Sequence, residues 1–222
     1  MERCMKKVKS VLAAAALALM LVACGDKQGG TSTFSPSQSS IFVTRDGSFS
    51  SSLVEHYEKK EYTQEKLQTF VGEIVSSYNE SKGAEAASEN SEGAAKLPVA
   101  VSSCTLGEGT AIIIFDYGSG ADLVDFAAQQ QDEANQAKAL AYHKTADLLN
   151  QGSFDETVFV EAKDGKNAKP EKLKKAGENC VAVEGAVTIQ TEGKIQYVSQ
   201  GVTVQDDFTA RTPEGSSYII FK

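Results

Sequence analysis

Three aspartates lie close together around one predicted turn, and they are the first candidates for ligand chemistry. Asp116 ends an apolar run, and Asp122 and Asp125 follow it in the stretch DYGSGADLVD. Carboxylate oxygens bind Ca²⁺ when several of them converge. The spacing of an EF-hand loop is absent, and Gly118–Gly120 is too short for a dinucleotide or P-loop pattern. These missing spacings favour the alternative, a turn with a helix cap and exposed acids.

A lysine cluster is the second candidate site. Six lysines occur within thirteen residues of an acidic chain: Lys163, Lys166, Lys169, Lys172, Lys174 and Lys175. Near an anionic surface, such as lipid headgroups or teichoic acid, each basic residue contributes about 1 kcal/mol of attraction. Glu161, Asp164, Glu171 and Glu178 lie close by in the sequence. We therefore favour a solvated turn in which these acids balance the lysines.

Catalytic and zinc-binding patterns are missing from the sequence. The chain has two histidines, His56 and His143, and no HExxH or His/Cys ligand spacing. A Gly-x-Ser-x-Gly elbow is also absent. A Cys–His nucleophile pair would need Cys104 or Cys180 beside His143, but both cysteines fall in predicted strands, where burial raises the pKa of a thiol. We predict no cofactor and no confident metal site.

Cys24 ends an apolar run near the N-terminus. Basic residues precede Val11–Val22, which carries no charge and is shorter than the ~20 residues that span a bilayer. The sequence Leu21-Val22-Ala23-Cys24 resembles the lipobox of bacterial lipoproteins. The resemblance implies a signal peptide over residues 1–23 and a diacylglyceryl group on Cys24. It also implies export and lipid anchoring on the outer face of the cytoplasmic membrane. An ordinary secretory signal, cut elsewhere, is the alternative.

The lipid assignment limits disulfide formation. Cys4 would leave with the signal peptide and Cys24 would carry lipid, so Cys104 and Cys180 are the remaining pair. Export makes a bridge between them chemically feasible. The other interpretation is two unpaired cysteines buried in strands as small apolar side chains. The sequence leaves both open.

Composition separates a tether from a folding unit. Residues 24–39 are rich in Gly, Ser and Thr, which predicts a flexible tether, and residues 40–222 are expected to form a single domain. Residues 1–23 carry four basic side chains and one acidic one, so the formal net charge of −8 becomes −11 after their removal. A strongly acidic domain repels nucleic acid, so we exclude nucleic-acid partners.

The element pattern predicts an α+β fold. Asp46-Gly47 between β-rich runs predicts a hairpin, and an apolar stripe predicts a helix over 63–78 with Thr63 as its N-cap. The unbroken apolar run 111–115 predicts a central strand buried on both faces. A helix is expected from Gly120, capped by Ser119 or Asp122, and an alanine stripe predicts a second helix ending near Gly152. The C-terminal part is expected to be all β, giving a mostly antiparallel sheet with two or three packed helices.

A second resemblance covers both ends of the domain. The stretches SIFVTRDGSF and EKLQTFVGEIVSSYN, with GKIQYVSQGVTV and SYIIFK near the C-terminus, resemble uncharacterised surface lipoproteins of gut-type Clostridia. Residues 129–141 depart most from that pattern. The resemblance implies a Gram-positive surface lipoprotein and no particular activity.

These observations lead to one main functional hypothesis. We expect a non-enzymatic, lipid-anchored surface protein that contacts the membrane through Cys24 and binds a surface protein or a wall polymer. The rival hypothesis is an envelope hydrolase with a carboxylate site. A small solute-binding lipoprotein is a third, although roughly 180 residues are few for a two-lobed receptor.

Overall fold

A computed structural model describes residues 32–58, 63–107, 109–174 and 179–222. The predicted signal peptide, Cys24 and Lys175 lie outside this part of the chain. The predicted α+β class with mostly antiparallel strands is confirmed. The helices are α1 (Gln64–Ser81), α2 (Gly120–Gln130), α3 (Thr145–Asn150) and α4 (Pro170–Leu173). The strands are β1 (Ser40–Val43), β2 (Phe49–His56), β3 (Val99–Gly107), β4 (Thr110–Tyr117), β5 (Ala139–Lys144), β6 (Phe159–Glu161), β7 (Asn179–Glu184), β8 (Thr188–Thr191), β9 (Ile195–Ser199), β10 (Thr203–Val204), β11 (Thr209–Arg211) and β12 (Ser216–Phe221).

The strands form two sheets instead of the one that we predicted. The seven-stranded sheet has the order β10-β11-β8-β1-β2-β4-β3, and the five-stranded sheet has the order β5-β7-β12-β9-β6. Among the described strands, β1 and β8 form the one parallel pair. The chain passes from one sheet to the other between Thr191 and Ile195. A Cβ on Gly193 would lie 2.2 Å from the Lys222 carbonyl oxygen, so this crossing requires glycine.

One hydrophobic core joins the two sheets. Ile41 and Ile189 of the seven-stranded sheet belong to the same buried cluster as Val181 and Ile219 of the five-stranded sheet. Phe126 of α2 also lies in this cluster. A smaller cluster on the opposite face of the five-stranded sheet contains Leu148, Phe154, Phe159, Cys180 and Ile220. The five-stranded sheet is therefore buried on both faces.

The first hairpin and helix confirm the predictions. The Asp46-Gly47 turn joins β1 and β2, with Gly47 at φ +86°. The Thr63 hydroxyl accepts a hydrogen bond from the Lys66 backbone amide and caps α1. Val71, Val75 and Tyr78 of the predicted stripe are buried. The cap and the stripe together explain where α1 begins and which face it buries.

The predicted helix over the alanine stripe is wrong. Ala139–Lys144 forms β5, which pairs with β7 along its whole length, and only Thr145–Asn150 is helical. Alanine intrinsically favours helix by roughly a few tenths of a kcal/mol per residue. Strand pairing and the burial of Leu140 outweigh this preference. His143 therefore lies in a strand and not in a helix.

The apolar run of β4 is central but is not buried on both faces. β4 lies between β2 and β3, as predicted. Ile113 and Phe115 are buried against the core, whereas Ile112 and Ile114 on the other face are half-buried. The run therefore alternates in burial although it does not alternate in residue type.

Residues 32–39 pack on the domain, whereas the sequence predicted a tether up to residue 39. The Ser32 amide donates to the Glu192 carbonyl oxygen at 2.8 Å. The Phe34 ring stacks on Phe42 with centroids 4.8 Å apart. The Val54 amide donates to Ser39 Oγ at 2.9 Å. Phe34 is the one aromatic residue in the stretch 25–40, and its contact with a buried phenylalanine explains why composition alone missed this packing.

Candidate functional site

The three aspartates do not form a metal site. Asp122 accepts a hydrogen bond from Ser119 Oγ at 2.6 Å, and Ser119 Oγ accepts from the Asp122 amide, which caps α2. Asp125 contacts Lys82 Nζ at 2.5 Å and the Tyr78 hydroxyl at 3.0 Å. Lys82, and next Tyr78, hold the pKa of Asp125 below its usual value. Asp116 accepts from Ser50 Oγ at 2.7 Å.

Each of these carboxylates therefore forms a hydrogen bond or an ion pair with a different protein group. Within the described ranges, no group of three or more His, Cys, Asp or Glu side chains is arranged to hold a metal ion. The calcium hypothesis is thus not supported, and the alternative of a turn with a helix cap describes the geometry.

Cys104 and Cys180 are both free and buried, so the structure contains no bridge between them. Cys104 lies on β3 of the seven-stranded sheet, and Cys180 lies on β7 of the five-stranded sheet. Burial raises the pKa of both thiols, that of Cys180 to about 12. Neither thiol is therefore an activated nucleophile. Of the two alternatives left open by the sequence, the structure has the unpaired, buried cysteines.

The histidines do not pair with a nucleophile. His56 Nδ1 lies 3.1 Å from Thr110 Oγ1 at an exposed position on the seven-stranded sheet. His143 is half-buried on β5, opposite Cys180 in the strand register. Side chains of directly opposed strand residues share a face, but the high pKa of the Cys180 thiol leaves it protonated. Burial therefore disfavours the Cys180 thiolate that covalent catalysis would use.

Two carboxylates have raised pKa values but line neither of the two cavities described below. Burial is the main cause of the raised pKa of Asp132, whose carboxylate accepts hydrogen bonds from Asn135. The pKa of Glu55 is raised by burial and then by the charge of Asp132. Asn135 also donates to the Ser52 carbonyl oxygen at 2.9 Å. These contacts connect the loop after α2 to β2 and indicate a structural role.

An open groove lies where the edges of the two sheets meet. Its volume is about 460 Å³, and its walls come from β6 and β9 on one side and from β10 with the following turn on the other. Its charged and aromatic lining residues are Glu161, Lys163, Lys194, Tyr197, Asp206 and Asp207. We call it the β6–β10 groove. It is a candidate binding site because charged side chains from both sheets line it.

Local interactions fix the polar walls of the β6–β10 groove. The Phe208 amide donates to Asp206 Oδ1 at 2.7 Å, which shapes the turn between β10 and β11. Lys194 Nζ lies 2.7 Å from Asp207 Oδ2. Lys163 Nζ lies 3.4 Å from Glu161 Oε2. The lining thus contains both cations and carboxylates, and the groove is suited to a hydrophilic ligand with both hydrogen-bond donors and acceptors.

The lysine cluster is largely balanced by local acids. Lys163 and Lys172 both contact the Glu161 carboxylate, and Lys166 lies 2.8 Å from Asp164 Oδ2. Lys172 is the main cause of the lowered pKa of Glu161. Lys169 and Lys174 are exposed. This geometry agrees with a solvated turn, with one member of the cluster, Lys163, in the wall of the β6–β10 groove.

No sequence pattern predicted the β6–β10 groove. Its walls combine Glu161, Lys194 and Asp207, which are far apart in the chain and follow no motif spacing. Their proximity depends on β9 and β10 belonging to different sheets. Among the sequence features singled out above, the lysine-rich stretch alone contributes a residue, Lys163, to the groove lining.

A second cavity lies between α1 and β3. Its volume is about 510 Å³, and its lining includes Gln68, Ser88, Glu89 and Cys104. It contains no histidine, and the pKa of its thiol is raised by burial. This composition lacks the base that an enzyme of the Cys–His type needs.

Comparison of the chain with protein-family models, with curated proteins and with solved structures finds no match. In the part of the chain that the structure describes, none of the helices has the length and apolar character needed to cross a bilayer.

Proposed function

We propose that the protein is an exported lipoprotein, anchored through Cys24 to the outer face of the cytoplasmic membrane, that binds a polar polymer of the cell wall in the β6–β10 groove. The observation that carries the binding proposal is the open groove, whose lining includes Lys163, Lys194, Asp206 and Asp207. The lipobox in the sequence supports the anchor.

The chemistry of the groove favours a hydrophilic polymer over an apolar ligand. Lys163, Lys194 and Asp207 are solvent-accessible, and Lys194 is already paired with Asp207. A glycan or phosphate polymer can replace such exposed pairs with its own hydroxyl and anionic groups at low desolvation cost. Tyr197 supplies one aromatic surface on which a sugar ring can pack.

The anchor is tested by mass spectrometry of the mature protein from producing cells. We expect the N-terminal residue to be Cys24 with a diacylglyceryl group, and the protein to partition with detergent. Cys24→Ala should abolish the lipid and the detergent partitioning. An exported protein with an unmodified Cys24 thiol would contradict the anchor.

Binding is tested with the detergent-solubilised lipoprotein and two probes, purified peptidoglycan and glycerol-phosphate teichoic acid. We expect Lys194→Glu to weaken binding of at least one probe by about tenfold, the equivalent of one lost charge-assisted contact. Lys138→Glu is the matched control, since Lys138 forms a similar exposed pair with Glu214 at 3.6 Å far from the groove. Absence of binding to both probes, or equal losses in the two variants, would refute the binding proposal.

A further inference from the structure

Ion pairs already engage most of the charged side chains that line the β6–β10 groove. Lys194 Nζ lies 2.7 Å from Asp207 Oδ2. One carboxylate oxygen of Glu161 pairs with Lys163 Nζ at 3.4 Å, and the other contacts Lys172, which lies outside the lining. Each of these lining charges is therefore balanced by a neighbour within the protein.

Asp206 is the exception among the charged lining residues. Its Oδ1 atom accepts the hydrogen bond from the Phe208 amide, which holds the carboxylate at the turn after β10. Within the part of the chain that the structure describes, Asp206 forms no ion pair with a lysine, an arginine or a histidine. The side chain is exposed, so its Oδ2 atom is accessible to a ligand in the groove.

The side-chain amide of Gln196 adds a second acceptor to the lining. Its Nε2 atom donates to the Lys194 carbonyl oxygen at 3.1 Å and to the Ile195 carbonyl oxygen at 3.4 Å. The same side chain is half-buried and lines the groove. Among the described residues, no donor contacts Gln196 Oε1, so this oxygen and Asp206 Oδ2 are two acceptors without a protein donor.

The charge balance favours a cationic group of the ligand at Asp206. The lysines of the lining are engaged by Glu161 and Asp207, so they do not offset the Asp206 charge. The chain as a whole is acidic, with a formal net charge of −8, and an acidic protein attracts cations and repels anions. A primary ammonium group has three hydrogen-bond donors and no acceptor. It therefore matches a lining that contains a free carboxylate oxygen and a free amide oxygen.

We infer that the wall polymer in the β6–β10 groove carries primary amino groups, and that the Asp206 carboxylate binds their ammonium form. The inference rests on the proposed function and names the chemical class of its ligand. Two parts of a cell-wall polymer can supply this group: amino sugars that lack an N-acetyl group, and amino acids of the peptide stems. A polymer whose charges are phosphates alone lacks the group that Asp206 binds.

The experiment compares purified peptidoglycan with the same material after N-acetylation of its free amino groups, using the detergent-solubilised lipoprotein. Acetylation converts each ammonium group into a neutral amide and leaves the carboxylates unchanged. We expect it to weaken binding by about threefold to fivefold, as for the loss of one exposed ion pair.

A matched pair of glucosamine oligomers, with and without N-acetyl groups, identifies the source of the amine. Tighter binding of the free-amine oligomer assigns the amine to the sugar. Discrimination by the protein for peptidoglycan alone assigns it to the peptide stem.

Asp206→Asn should abolish the discrimination between native and acetylated peptidoglycan. Asparagine retains an oxygen that can accept from the Phe208 amide, but it carries no charge. Glu214→Gln is the matched control, since Glu214 is an exposed acid that pairs with Lys138 outside the groove lining. This variant should discriminate as well as the unmodified protein does.

Equal or tighter binding of acetylated peptidoglycan would overturn the inference. Discrimination that persists in Asp206→Asn, or binding of glycerol-phosphate teichoic acid alone, would overturn it too. These results leave the binding proposal intact, because that proposal requires only that one of the two polymers binds. Absence of binding to both polymers refutes the proposed function instead, so the two failures are distinguishable.

Discussion

The side-chain amide of Asn79 pairs with the backbone of Val99 as a neighbouring strand would. Asn79 Nδ2 donates to the Val99 carbonyl oxygen at 2.8 Å, and the Val99 amide donates to Asn79 Oδ1 at 3.1 Å. At the other end of β3, the Leu106 amide donates to Gln64 Oε1, and Gln64 Nε2 donates to the Cys104 carbonyl oxygen. Two amides of α1 thus cover the outer edge of β3, which would otherwise be available for pairing with another chain.

Asn79→Ala should destabilise the domain strongly. Asn79 is fully buried, and its removal leaves the amide and carbonyl of Val99 without partners. At about 1–3 kcal/mol for each buried unpaired group, we expect the free energy of unfolding to fall by about 2–4 kcal/mol. Guanidinium unfolding with an unchanged m-value would measure this loss.

Gln68→Ala is the control for that variant. Its hydrogen bond to the Cys104 carbonyl oxygen is long, at 3.5 Å, and Gln64 donates to the same oxygen. We expect a loss below about 0.5 kcal/mol. Similar losses in the two variants would contradict the edge-covering role of Asn79.

Gly120→Ala and Gly72→Ala should change stability in opposite directions. A Cβ on Gly120 would lie 2.4 Å from the Leu140 carbonyl oxygen, so α2 must move away from β5, at a cost of about 1–3 kcal/mol. A Cβ on Gly72, inside α1, meets Ser88 at an ordinary 3.5 Å. We therefore expect Gly72→Ala to stabilise the protein by up to about 1 kcal/mol. Thermal unfolding of both variants checks this, and stabilisation by Gly120→Ala would be the contrary result.

Both internal thiols should be protected in the folded protein. We expect Cys104 and Cys180 to resist alkylation at pH 8 in native buffer and to react fully after denaturation without reductant, because both are free and buried. Mass spectrometry of peptides from the alkylated protein distinguishes them from Cys24. A mass two hydrogens lower, with no reactive thiol after denaturation, would instead demonstrate a bridge.

Stability should decline slightly as the pH rises through the titration of Glu55. Its pKa is raised in the folded state, chiefly by partial desolvation and next by the charge of Asp132, although much of the side chain is exposed. A carboxyl group with a raised folded-state pKa supports folding while it is neutral. That contribution is complete below the unfolded-state pKa and is lost as the pH rises through the folded-state pKa.

Glu55→Gln tests this pH dependence. We expect a gain at pH 7 below about 0.5 kcal/mol in the free energy of unfolding, since solvent screens the exposed side chain, and no gain at pH 3. Urea titrations at both pH values measure it. Glu58→Gln, exposed beyond the end of β2, is the control, and an equal gain at pH 3 would show that the effect is not electrostatic.

Local signals explain the elements that the sequence predicted correctly. The Asp46-Gly47 turn, the Thr63 cap and the stripe through Val71 and Val75 each depend on neighbours within a few residues. The same holds for the Ser119 cap of α2. Interactions between residues that are close in the sequence can be recognised from the residue order alone. The hairpin and the starts of both long helices could therefore be predicted.

Long-range packing decided the features that the sequence did not predict. Ala139–Lys144 is a strand because it pairs with β7 along its whole length. Residues 32–39 pack on the domain because the Phe34 ring stacks on Phe42. The β6–β10 groove forms between β9 of one sheet and β10 of the other. The sequence by itself determined the α+β class and the charge, and it predicted a lipobox at Cys24. Only the tertiary structure brought Lys163, Lys194 and Asp207 together, because their separation in space depends on which sheet each strand joins.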